Sequence, residues 1–392
     1  MPSTSPARLS AKPDSVLIVA LSARSLALAA ARAGYRAAVI DLFGDVDTRR
    51  LAERSVTVPG DLRQGFEAEA LIEAARKLAP AKDEFSGLVY GSGLESQPEL
   101  LERLARGRHL WGNLPAVLRA IKDPVNFFGL LDRQGLPHPE VRTKPPAEMA
   151  GWLVKGIGGA GGGHVRPLAE ASRAADQYYQ RRVPGRPVSC LFLADGRNAF
   201  LLGWSEQWPS PDLDHPFRFG GAVQPAGVPP ALARTVTAAL PPLVKETGLV
   251  GLNSLDLMLD DAGGFHLLEI NPRPGASLDV FDGEGPQALF GRHVAACKGR
   301  LLSGWRPPKR ASAMSVVYAD RLLRVPRNIT YPPWLADRPA PGARIELGAP
   351  VCTVMAAAAD AEAARHLVLA RGRRVLDALA AGAGGSLVEG TG

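Results

Sequence analysis

Short apolar runs alternate with helical patterns over the first 110 residues of the chain. The apolar run 16–20 predicts a strand, and the helical pattern over 25–33 is followed by Gly34, a residue type that favours helix C-termini. A second strand is predicted over 37–43, which completes a strand–helix–strand unit typical of a parallel sheet. The alternation continues with a helix over 67–78, a strand over 87–93 and a helix over 98–106. This first region is therefore predicted to be α/β.

A change of pattern near residue 120 predicts a domain boundary. The segment 120–142 predicts a helix that leads into a proline-rich connection. Further on, strands over 178–208 are joined by an Asp195-Gly196 turn, and an amphipathic helix follows over about 229–247. After Trp305 the pattern predicts a smaller module, with strands near 313–319 and 350–356, a helix over about 359–380 and a loose C-terminal tail. The chain thus divides into predicted regions 1–120, 121–305 and 306–392.

Two apolar runs after that amphipathic helix carry the strongest chemical pattern. Asp256 lies in the first run, Glu269 and Asn271 lie in the second, and the turn-forming sequence DDAGG (260–264) separates them. Residues two apart on a strand share a face, and a hairpin would bring Asp256 beside Glu269. Two carboxylates and an amide oxygen suit Mg²⁺ that is shared with a polyphosphate. The alternative interpretation is a set of ordinary turn residues and a solvated glutamate.

A glycine-rich segment that follows Lys155 is a second candidate for phosphate binding. In GIGGAGGG (156–163) no Cβ obstructs the backbone N–H groups, and Lys155 adds positive charge beside them. The alternative is a flexible hairpin. A dinucleotide fingerprint is rejected, because HVRP follows instead of a helix and the first strand–helix turn, 21–25, has no glycine. A nicotinamide-dependent oxidoreductase is excluded on these grounds, and the lack of G-x-x-x-x-G-K-[ST] excludes a P-loop NTPase.

Composition narrows the class of protein. The chain has 392 residues, 46% hydrophobic and 22% charged, which is typical of a soluble globular protein of two or three domains. No apolar run has the length of a membrane span, so no membrane partner is expected. Three scattered cysteines predict a reduced, cytoplasmic protein. The net charge of +7 has no basic block, which argues against nucleic acid and fits small anionic substrates.

The order of these features resembles that of ATP-grasp ligases. The resemblance rests on Lys122 in AIKDP, Lys155 before the glycine loop, the hinge-like YYQRRVPG (178–185), and Asp256 followed by Glu269-x-Asn271. The N-terminal segment is also similar to a subgroup related to biotin carboxylase, which includes tyramine–glutamate ligase-like proteins of methanofuran and tetrahydromethanopterin biosynthesis. The fold class that this implies is α/β: an ATP-grasp fold with an N-terminal Rossmann-like pre-ATP-grasp domain (1–120), an ATP-grasp domain (121–305, lid about 140–185) and a small C-terminal α+β module.

The resemblance also implies roles for individual residues. The cofactors it implies are ATP and Mg²⁺, with Mn²⁺ as a substitute. The resemblance implies that Lys122 and Lys155 bind the ATP phosphates and that Lys155 also assists catalysis. The remaining implied contacts are Gly158, Gly159, Gly161 and Gly162 in a closing loop, Gln180, Arg181 and Val183 against the adenine, and Asp256, Glu269 and Asn271 on the metal. One departure is that Gly185 is followed by Arg186 and Pro187, where many such ligases carry a glutamate that binds the ribose.

Four further residues are candidates for contact with the substrates. Arg273 is predicted to be a catalytic cation that stabilises a phosphorylated intermediate, and the alternative is an anchor of its turn through Asp279. Arg24 stands at a strand–helix junction, a natural anion site, with a surface arginine as the alternative. The other two candidates are Arg218, for which a packed loop is the alternative, and His164 at the end of the glycine loop.

The predicted activity is that of a carboxylate–amine ligase that works through an acyl-phosphate. The expected partners are a small-molecule carboxylate and an amine, with glutamate as a candidate, and a homodimer is the default assembly. Glutamate addition in one-carbon cofactor biosynthesis is a hypothesis that rests on the N-terminal resemblance. A carboxylase-like or kinase activity on the same ATP site, or a non-catalytic nucleotide-binding regulator, stays open as an alternative.

Overall fold

The computed structural model describes residues 14–81, 85, 87–168 and 176–382. The N-terminal region is built on a parallel sheet with strand order β3-β2-β1-β6-β7. The central strand β1 is fully buried and pairs in parallel with β2 and β6. The elements are β1 (Ser15–Val19), α1 (Arg24–Arg32), β2 (Arg36–Asp41), α2 (Val46–Leu51), β3 (Arg54–Thr57), β4 (Gly60–Asp61), β5 (Gly65–Phe66), α3 (Ala68–Leu78), β6 (Gly87–Tyr90), α4 (Pro98–Ala105) and β7 (His109–Leu110). The predicted α/β alternation is confirmed, although β2 and β6 are shorter than predicted.

Two helices, not one, connect this region to the next. They are α5 (Pro115–Lys122) and α6 (Pro124–Arg133), whereas the sequence predicted a single helix beginning near residue 120. The break lies at Asp123, because the proline that follows disfavours helical backbone at the residue before it. The Asp123 carboxylate then caps α6 by accepting a hydrogen bond of 2.8 Å from the N–H of Asn126. Helix α5 therefore ends at Lys122.

A small four-stranded sheet follows α6. Its strands are β8 (Val141–Arg142), β9 (Trp152–Gly156), β10 (Val165–Pro167) and β11 (Gln177–Arg181), in the order β10-β9-β11-β8. The glycine-rich segment connects β9 to β10, and the register sets Lys155 opposite both Val165 and Tyr178. Lys155 is therefore held on the central strand of the small sheet, directly before the glycine loop.

The largest sheet has eight strands in the order β16-β15-β12-β13-β14-β17-β21-β19, antiparallel throughout. Strands β17 and β21 continue it across residue 305, so the C-terminal strands share a sheet with the central region. Its helices pack on apolar clusters of β-branched, leucine and aromatic side chains. The elements are β12 (Arg186–Asp195), β13 (Ala199–Pro209), β14 (Phe219–Gln224), α7 (Pro230–Thr247), β15 (Val250–Leu259), β16 (Phe265–Asn271), α8 (Leu278–Phe281), a 3₁₀ helix (Gly285–Gln287), α9 (Leu289–Cys297), β17 (Ala311–Tyr318), β18 (Leu323–Arg324), β19 (Leu335–Ala336), β20 (Arg344–Ile345), β21 (Pro350–Ala358) and α10 (Ala361–Ala380).

Two further predictions concern the C-terminal tail and membrane-spanning helices. The tail predicted to be loose falls mainly on residues 383–392, which lie outside the described residues. Among the described helices, none combines the length and the apolar character that a membrane crossing requires.

Candidate functional site

The hairpin of β15 and β16 brings the three predicted metal ligands together. Asp256 is the ladder partner of Glu269, and Ser254 is the partner of Asn271. The turn is closed by Asp260, whose carboxylate accepts a 2.7 Å hydrogen bond from the N–H of Gly264. The predicted hairpin is confirmed, and all three side chains emerge on one face beside α5.

Hydrogen bonds fix the Asp256 carboxylate from both sides. Ser189 on β12 donates its hydroxyl to Oδ1 at 2.6 Å, and the Asn271 amide donates to Oδ2 at 2.9 Å. Burial and the nearby charge of Glu269 raise the pKa of Asp256 to about 6. Glu269 shifts the other way: burial alone would raise its pKa, but Lys122 and Lys155 lower it to about 2. The two carboxylates of the pair therefore have pKa values that lie far apart.

Lys122 at the end of α5 contacts the same cluster. Its Nζ lies 3.4 Å from Glu269 Oε2 and 3.3 Å from Asn271 Oδ1. The side chain is only 7% exposed, so its charge is weakly screened by solvent. A fixed ammonium thus stands beside the oxygens of two predicted metal ligands.

Lys155 approaches from the small sheet. Its Nζ donates to Gln180 Oε1 at 3.3 Å and lies 5.7 Å from the centre of the Tyr178 ring. Burial alone would lower the pKa of Lys155, but Tyr178 and Glu269 raise it above the ordinary value, so the side chain stays charged. Gln180 Nε2 is buried without a hydrogen-bond partner among the described residues. An orphaned amide donor beside a charged lysine fits a polar ligand at this position.

The glycine loop is packed between the N-terminal region and the β13–β14 loop. Gly158 adopts φ +73°, and a Cβ there would come within 2.7 Å of Ser96 Cα. On the other side, Phe219 donates its N–H to Gly161 O at 2.9 Å, and Gly162 lies against the carbonyl of Phe217. Side chains at Gly158 or Gly162 would therefore prevent this packing.

His164 closes the glycine loop and turns inward. Its ring packs against Gly159, and its Nδ1 is buried without a partner among the described residues. Burial lowers the pKa of His164 to about 4, against the opposing effect of Glu269. A neutral imidazole thus faces the cluster of Lys122, Lys155 and Glu269.

Arg273 contacts a carboxylate that the sequence did not suggest. Its Nε donates to Glu95 Oε1 at 2.6 Å, and its Nη2 lies 3.5 Å from Asn271 Oδ1. Asp279, the partner considered from the sequence, binds Arg24 instead. Arg273 therefore lies beside the predicted metal ligands and is held by the loop after β6.

Arg24 and Arg218, two of the predicted substrate contacts, are engaged within the protein. Arg24 binds Asp279 at 2.5 and 2.6 Å and Asp337 at 3.0 Å. Arg218 binds Asp212 at 2.7 Å and stacks on Tyr318, with its guanidinium carbon 3.6 Å from the ring centre. Their contacts with a substrate stay predictions.

Two residues of the predicted adenine contact lie at the end of β11. Arg181 is exposed, donates to the carbonyl of Ala150 at 3.0 Å and covers the ring of Trp152. Val183 is partly buried in the connection to β12. Only Gln180 of this group is brought into contact with the lysines, so the adenine role of the other two stays a prediction.

Sequence reasoning missed two residues of the site. Ser189 lies on β12 as the ladder partner of Asp256, and Glu95 lies in the loop after β6. Ser189 is one of many serines on strands, and nothing local marks it. Glu95 carried a usable signal, because residues just past the carboxyl end of a parallel strand commonly face the ligand.

The donor set fits a magnesium ion that is shared with phosphates. Two carboxylates and an amide oxygen leave most of the coordination sphere to water and phosphate, which is the usual arrangement for Mg²⁺. Within the described ranges, no group of three or more His, Cys, Asp or Glu side chains is placed to hold a metal ion. The predicted site has two carboxylates and one amide, so its role as a metal site stays a prediction.

A narrow cavity of about 20 Å³ lies at the centre of these residues, between α5–α6 and the glycine loop. It is lined by the two lysine-bearing elements and by aromatic side chains, namely Lys122, Phe127, Phe128, Gly158, His164, Tyr178 and Glu269. Small-molecule pockets usually measure several hundred Å³, so this cavity is too small to enclose a nucleotide. A wider groove of about 680 Å³, beside Trp111 and Lys298, contains none of the predicted site residues.

The chain is similar to known proteins in part of its sequence and in its fold. Residues 121–277 match the family model of the ATP-grasp domain. No curated protein sequence is a significant match to the chain. The chain is similar to the biotin carboxylase domain dimer of Hydrogenobacter thermophilus 2-oxoglutarate carboxylase, solved with MgADP, ADP and bicarbonate. The two share 12% identity with a TM-score of 0.69, and the match covers 94% of this chain and 95% of that one.

A second group of solved structures is similar over more than nine-tenths of the chain. N5-carboxyaminoimidazole ribonucleotide synthetase, solved as its ADP complex, shares 16% identity with a TM-score of 0.63 and covers 93% of this chain and 97% of its own. The enzyme of the same name from Thermotoga maritima shares 14% identity with a TM-score of 0.63, covering 92% and 98%. The predicted α/β fold class with an ATP-grasp domain is therefore confirmed.

Proposed function

We propose that this chain is an ATP-dependent carboxylate–amine ligase, which forms an amide through an acyl-phosphate intermediate. The ATP-grasp domain points to an ATP-dependent C–N ligase or carboxylase that uses ATP and Mg²⁺. The proposal is supported by one observation: Lys122 contacts both Glu269 and Asn271, beside Asp256, in a partly buried cluster of cations and carboxylates.

Different side chains of the cluster would contact the metal, the phosphates and the substrate carboxylate. In the proposal Asp256, Glu269 and Asn271 hold the metal, which when bound neutralises charge on the phosphates. Lys122 and Lys155 supply two fixed positive charges to the phosphoryl group during transfer. Arg273 has one nitrogen bound to Glu95, and its terminal nitrogens can stabilise oxygens of the carboxylate that reacts.

The reaction follows from these positions. A carboxylate oxygen of the substrate attacks the γ-phosphorus of ATP, the bond to the β–γ bridging oxygen breaks, and ADP leaves. The amine nitrogen then attacks the acyl carbon, the C–O bond to phosphate breaks, and the amine loses a proton as inorganic phosphate is released. Acyl-phosphates hydrolyse readily, so water must be excluded between the two steps. The packed glycine loop, including Gly158 and Gly162, is suited to that task.

The substrates are the finer part of the proposal. We infer glutamate as a candidate substrate and one-carbon cofactor biosynthesis as a candidate pathway, from the resemblance of the N-terminal segment alone. The net positive charge of the chain fits an anionic substrate. Three free cysteines, Cys190, Cys297 and Cys352, support a reduced cytoplasmic location. A homodimer is proposed as well, since the Hydrogenobacter thermophilus neighbour is a dimer.

The proposal is tested by incubating the protein with Mg-ATP and pools of amino acids, amines, and pterin or furan precursors. Mass spectrometry reads the nucleotide and any new amide. ADP and an amide mass are expected together, and both should be lost in Glu269→Gln. Glu284→Gln, on the exposed surface, is the matched control and should keep both. Wild-type protein that binds Mg-ATP but makes no ADP in any pool would contradict the ligase proposal.

A carboxylase is the second candidate, because the solved neighbours include a biotin carboxylase domain in complex with bicarbonate. In that reaction bicarbonate takes the place of the substrate carboxylate and carboxyphosphate forms. ADP formation that depends on bicarbonate and gives a carboxylated acceptor would favour it. ADP formation that is independent of bicarbonate, with an amide product, would exclude it.

A further inference from the structure

Glu95 is a buried carboxylate on the loop that follows β6, and its side chain is 1% exposed. Its Oε1 accepts the Nε–H of Arg273 at 2.6 Å. Its Oε2 accepts backbone N–H groups of its own loop, from Gly93 at 2.6 Å and from Leu94 at 3.1 Å. Backbone N–H groups of its own loop therefore fix the carboxylate independently of Arg273. It can hold the arginine in one orientation.

This contact determines how the Arg273 guanidinium is oriented. Because Nε is bound to Glu95, the plane of the guanidinium is set, and both terminal nitrogens are left free of Glu95. One of them, Nη2, lies 3.5 Å from Asn271 Oδ1, and the other lies against Gly275, where a side chain would displace it. One terminal nitrogen, Nη2, thus stands next to a predicted metal ligand, where the proposed function places the transferred phosphoryl group.

The electrostatic balance favours a charged pair. Burial alone would raise the pKa of Glu95, but the charges of Arg273 and Lys122 lower it below the ordinary value. Glu95 stays ionised and accepts from Arg273 with full charge. It therefore holds the guanidinium by a charge-assisted hydrogen bond, which is stronger and more directional than a neutral one.

The loop that carries Glu95 also contacts the glycine loop. A Cβ at Gly158 would come within 2.9 Å of the Glu95 carbonyl oxygen and 2.7 Å of Ser96 Cα. The surface on which the glycine loop rests is therefore the same loop that holds Arg273. The loop after β6 therefore contacts the closed glycine loop and also orients Arg273. This loop belongs to the N-terminal region and not to the ATP-grasp domain.

We propose that Glu95 is a positioning residue, which aims the terminal nitrogens of Arg273 at the oxygens of the carboxylate and its acyl-phosphate. The inference rests on the proposed function and adds a second task for the N-terminal region. Loss of Glu95 leaves ATP able to bind at the lysines but leaves the arginine misdirected at the reacting centre. The effect is thus expected in kcat rather than in the KM for ATP.

A double-mutant cycle tests the inference in the wild-type reaction mixture that forms ADP. Arg273→Ala is expected to lower kcat by about 100- to 1000-fold, the usual loss for one electrostatic contact to a transition state. Glu95→Ala should lower kcat about 100-fold with the KM for ATP within about threefold. Because both variants remove one function, the double variant should be no slower than Arg273→Ala. Additive losses, or normal kcat in Glu95→Ala, would overturn the inference.

Chemical rescue separates positioning from a structural role. Guanidinium chloride at a non-denaturing concentration should restore activity to Arg273→Ala while Glu95 is present, and should not restore it to the double variant. Glu95→Gln keeps the shape and one acceptor oxygen, so it guards against loss of folding and should retain more activity than Glu95→Ala. Glu99→Ala, four residues along on exposed helix α4, is the matched control and should behave as wild type.

An NMR measurement distinguishes failure of this inference from failure of the proposed function. The Nε–H signal of Arg273, assigned by its loss in Arg273→Ala, should exchange slowly in the wild type. It should move and exchange faster in Glu95→Gln. If the wild type forms no ADP, the proposed function fails, and the signal still decides whether Glu95 holds Arg273. An unchanged signal in Glu95→Gln would overturn the contact itself.

Discussion

Asp256 and Glu269 face each other across the β15–β16 ladder, and their pKa values are driven apart. Burial and the charge of Glu269 raise the pKa of Asp256 to about 6. Glu269, which is partly exposed, has its pKa lowered to about 2 by Lys122 and Lys155. At neutral pH both groups are ionised, and the folded chain keeps two negative charges together at a cost in stability. A divalent cation bound between the two carboxylates, as the proposed function requires, would relieve that repulsion.

Replacement of Asp256 should therefore separate activity from stability. Asp256→Asn removes the repelled charge and leaves a side chain of the same shape beside Ser189 and Asn271. We expect Mg²⁺-dependent ADP formation to fall at least about 100-fold, while the free energy of unfolding at pH 7 is unchanged or higher. Urea denaturation and an ADP assay measure the two effects. Asp261→Asn, in the exposed turn, is the control, and a destabilised but active Asp256→Asn would contradict this account.

Two glycines of the same loop offer a matched pair for testing closure. Gly158 and Gly161 have φ of +73° and +65°, so alanine at either position costs about 1–2 kcal/mol of backbone strain. Only at Gly158 would the new Cβ meet the N-terminal loop; at Gly161 nothing lies within 4 Å. We expect Gly158→Ala to lower kcat at least tenfold and Gly161→Ala by no more than about threefold.

The same steady-state assay supplies the controls for this pair. Gly163→Ala has ordinary φ and only an ordinary contact with His215, so it should match the wild type. Equal losses in Gly158→Ala and Gly161→Ala would mean that backbone strain, rather than contact with the loop after β6, determines closure.

Removal of Arg24 should destabilise the fold. Arg24→Ala leaves Asp279 and Asp337 without their cation, and these side chains are 5% and 20% exposed. Loss of one partner of a buried ion pair typically costs about 3–5 kcal/mol, which chemical denaturation should detect. Arg76→Ala, on an exposed pair, should leave stability unchanged. If Arg24→Ala instead keeps its stability and raises only the KM for the carboxylate substrate, the predicted substrate contact is favoured.

Local sequence patterns predicted the parts of the site that lie on one hairpin or one strand. The spacing of Asp256, Glu269 and Asn271, with a good turn between them, was enough to predict their association, because hairpin register is set locally. The position of Lys155 before the glycine loop was predicted in the same way. The break between α5 and α6 was not predicted, although Pro124 after Asp123 marks it.

The contacts of Arg24 and Arg273 could not be predicted in this way. Arg24 meets Asp279 and Asp337 across 255 and 313 residues, and Arg273 meets Glu95 across 178. Periodicity reports which face of an element is buried, but not which distant element covers it. The same limit explains the C-terminal strands: β17 looks like the start of a separate module, whereas its ladder with β14 joins the large sheet.

His293 provides a pH-dependent test of the packing between α9 and β15. The ring is buried; its Nδ1 accepts the N–H of Leu252 at 2.9 Å, and its Nε2 donates to the carbonyl of Trp111 at 2.9 Å. Burial lowers the pKa of His293 from 6.5 to about 4, so the folded chain holds this imidazole neutral. Between these pH values the unfolded chain binds one more proton than the folded chain, so acid favours unfolding.

The contribution of His293 to the free energy of unfolding should therefore fall by roughly 3 kcal/mol in total as the pH drops from about 6.5 to about 4. His293→Gln cannot take up that proton, so its urea-denaturation curves should depend less on pH than those of the wild type. Other groups also make stability depend on pH, because the pKa of His164 is lowered and the pKa values of Asp41 and Asp256 are raised. These groups are present in both proteins, so the difference between the wild-type and variant slopes isolates His293. His366→Gln, on an exposed face of α10, should keep the wild-type slope, and an unchanged slope in His293→Gln would contradict a neutral buried imidazole.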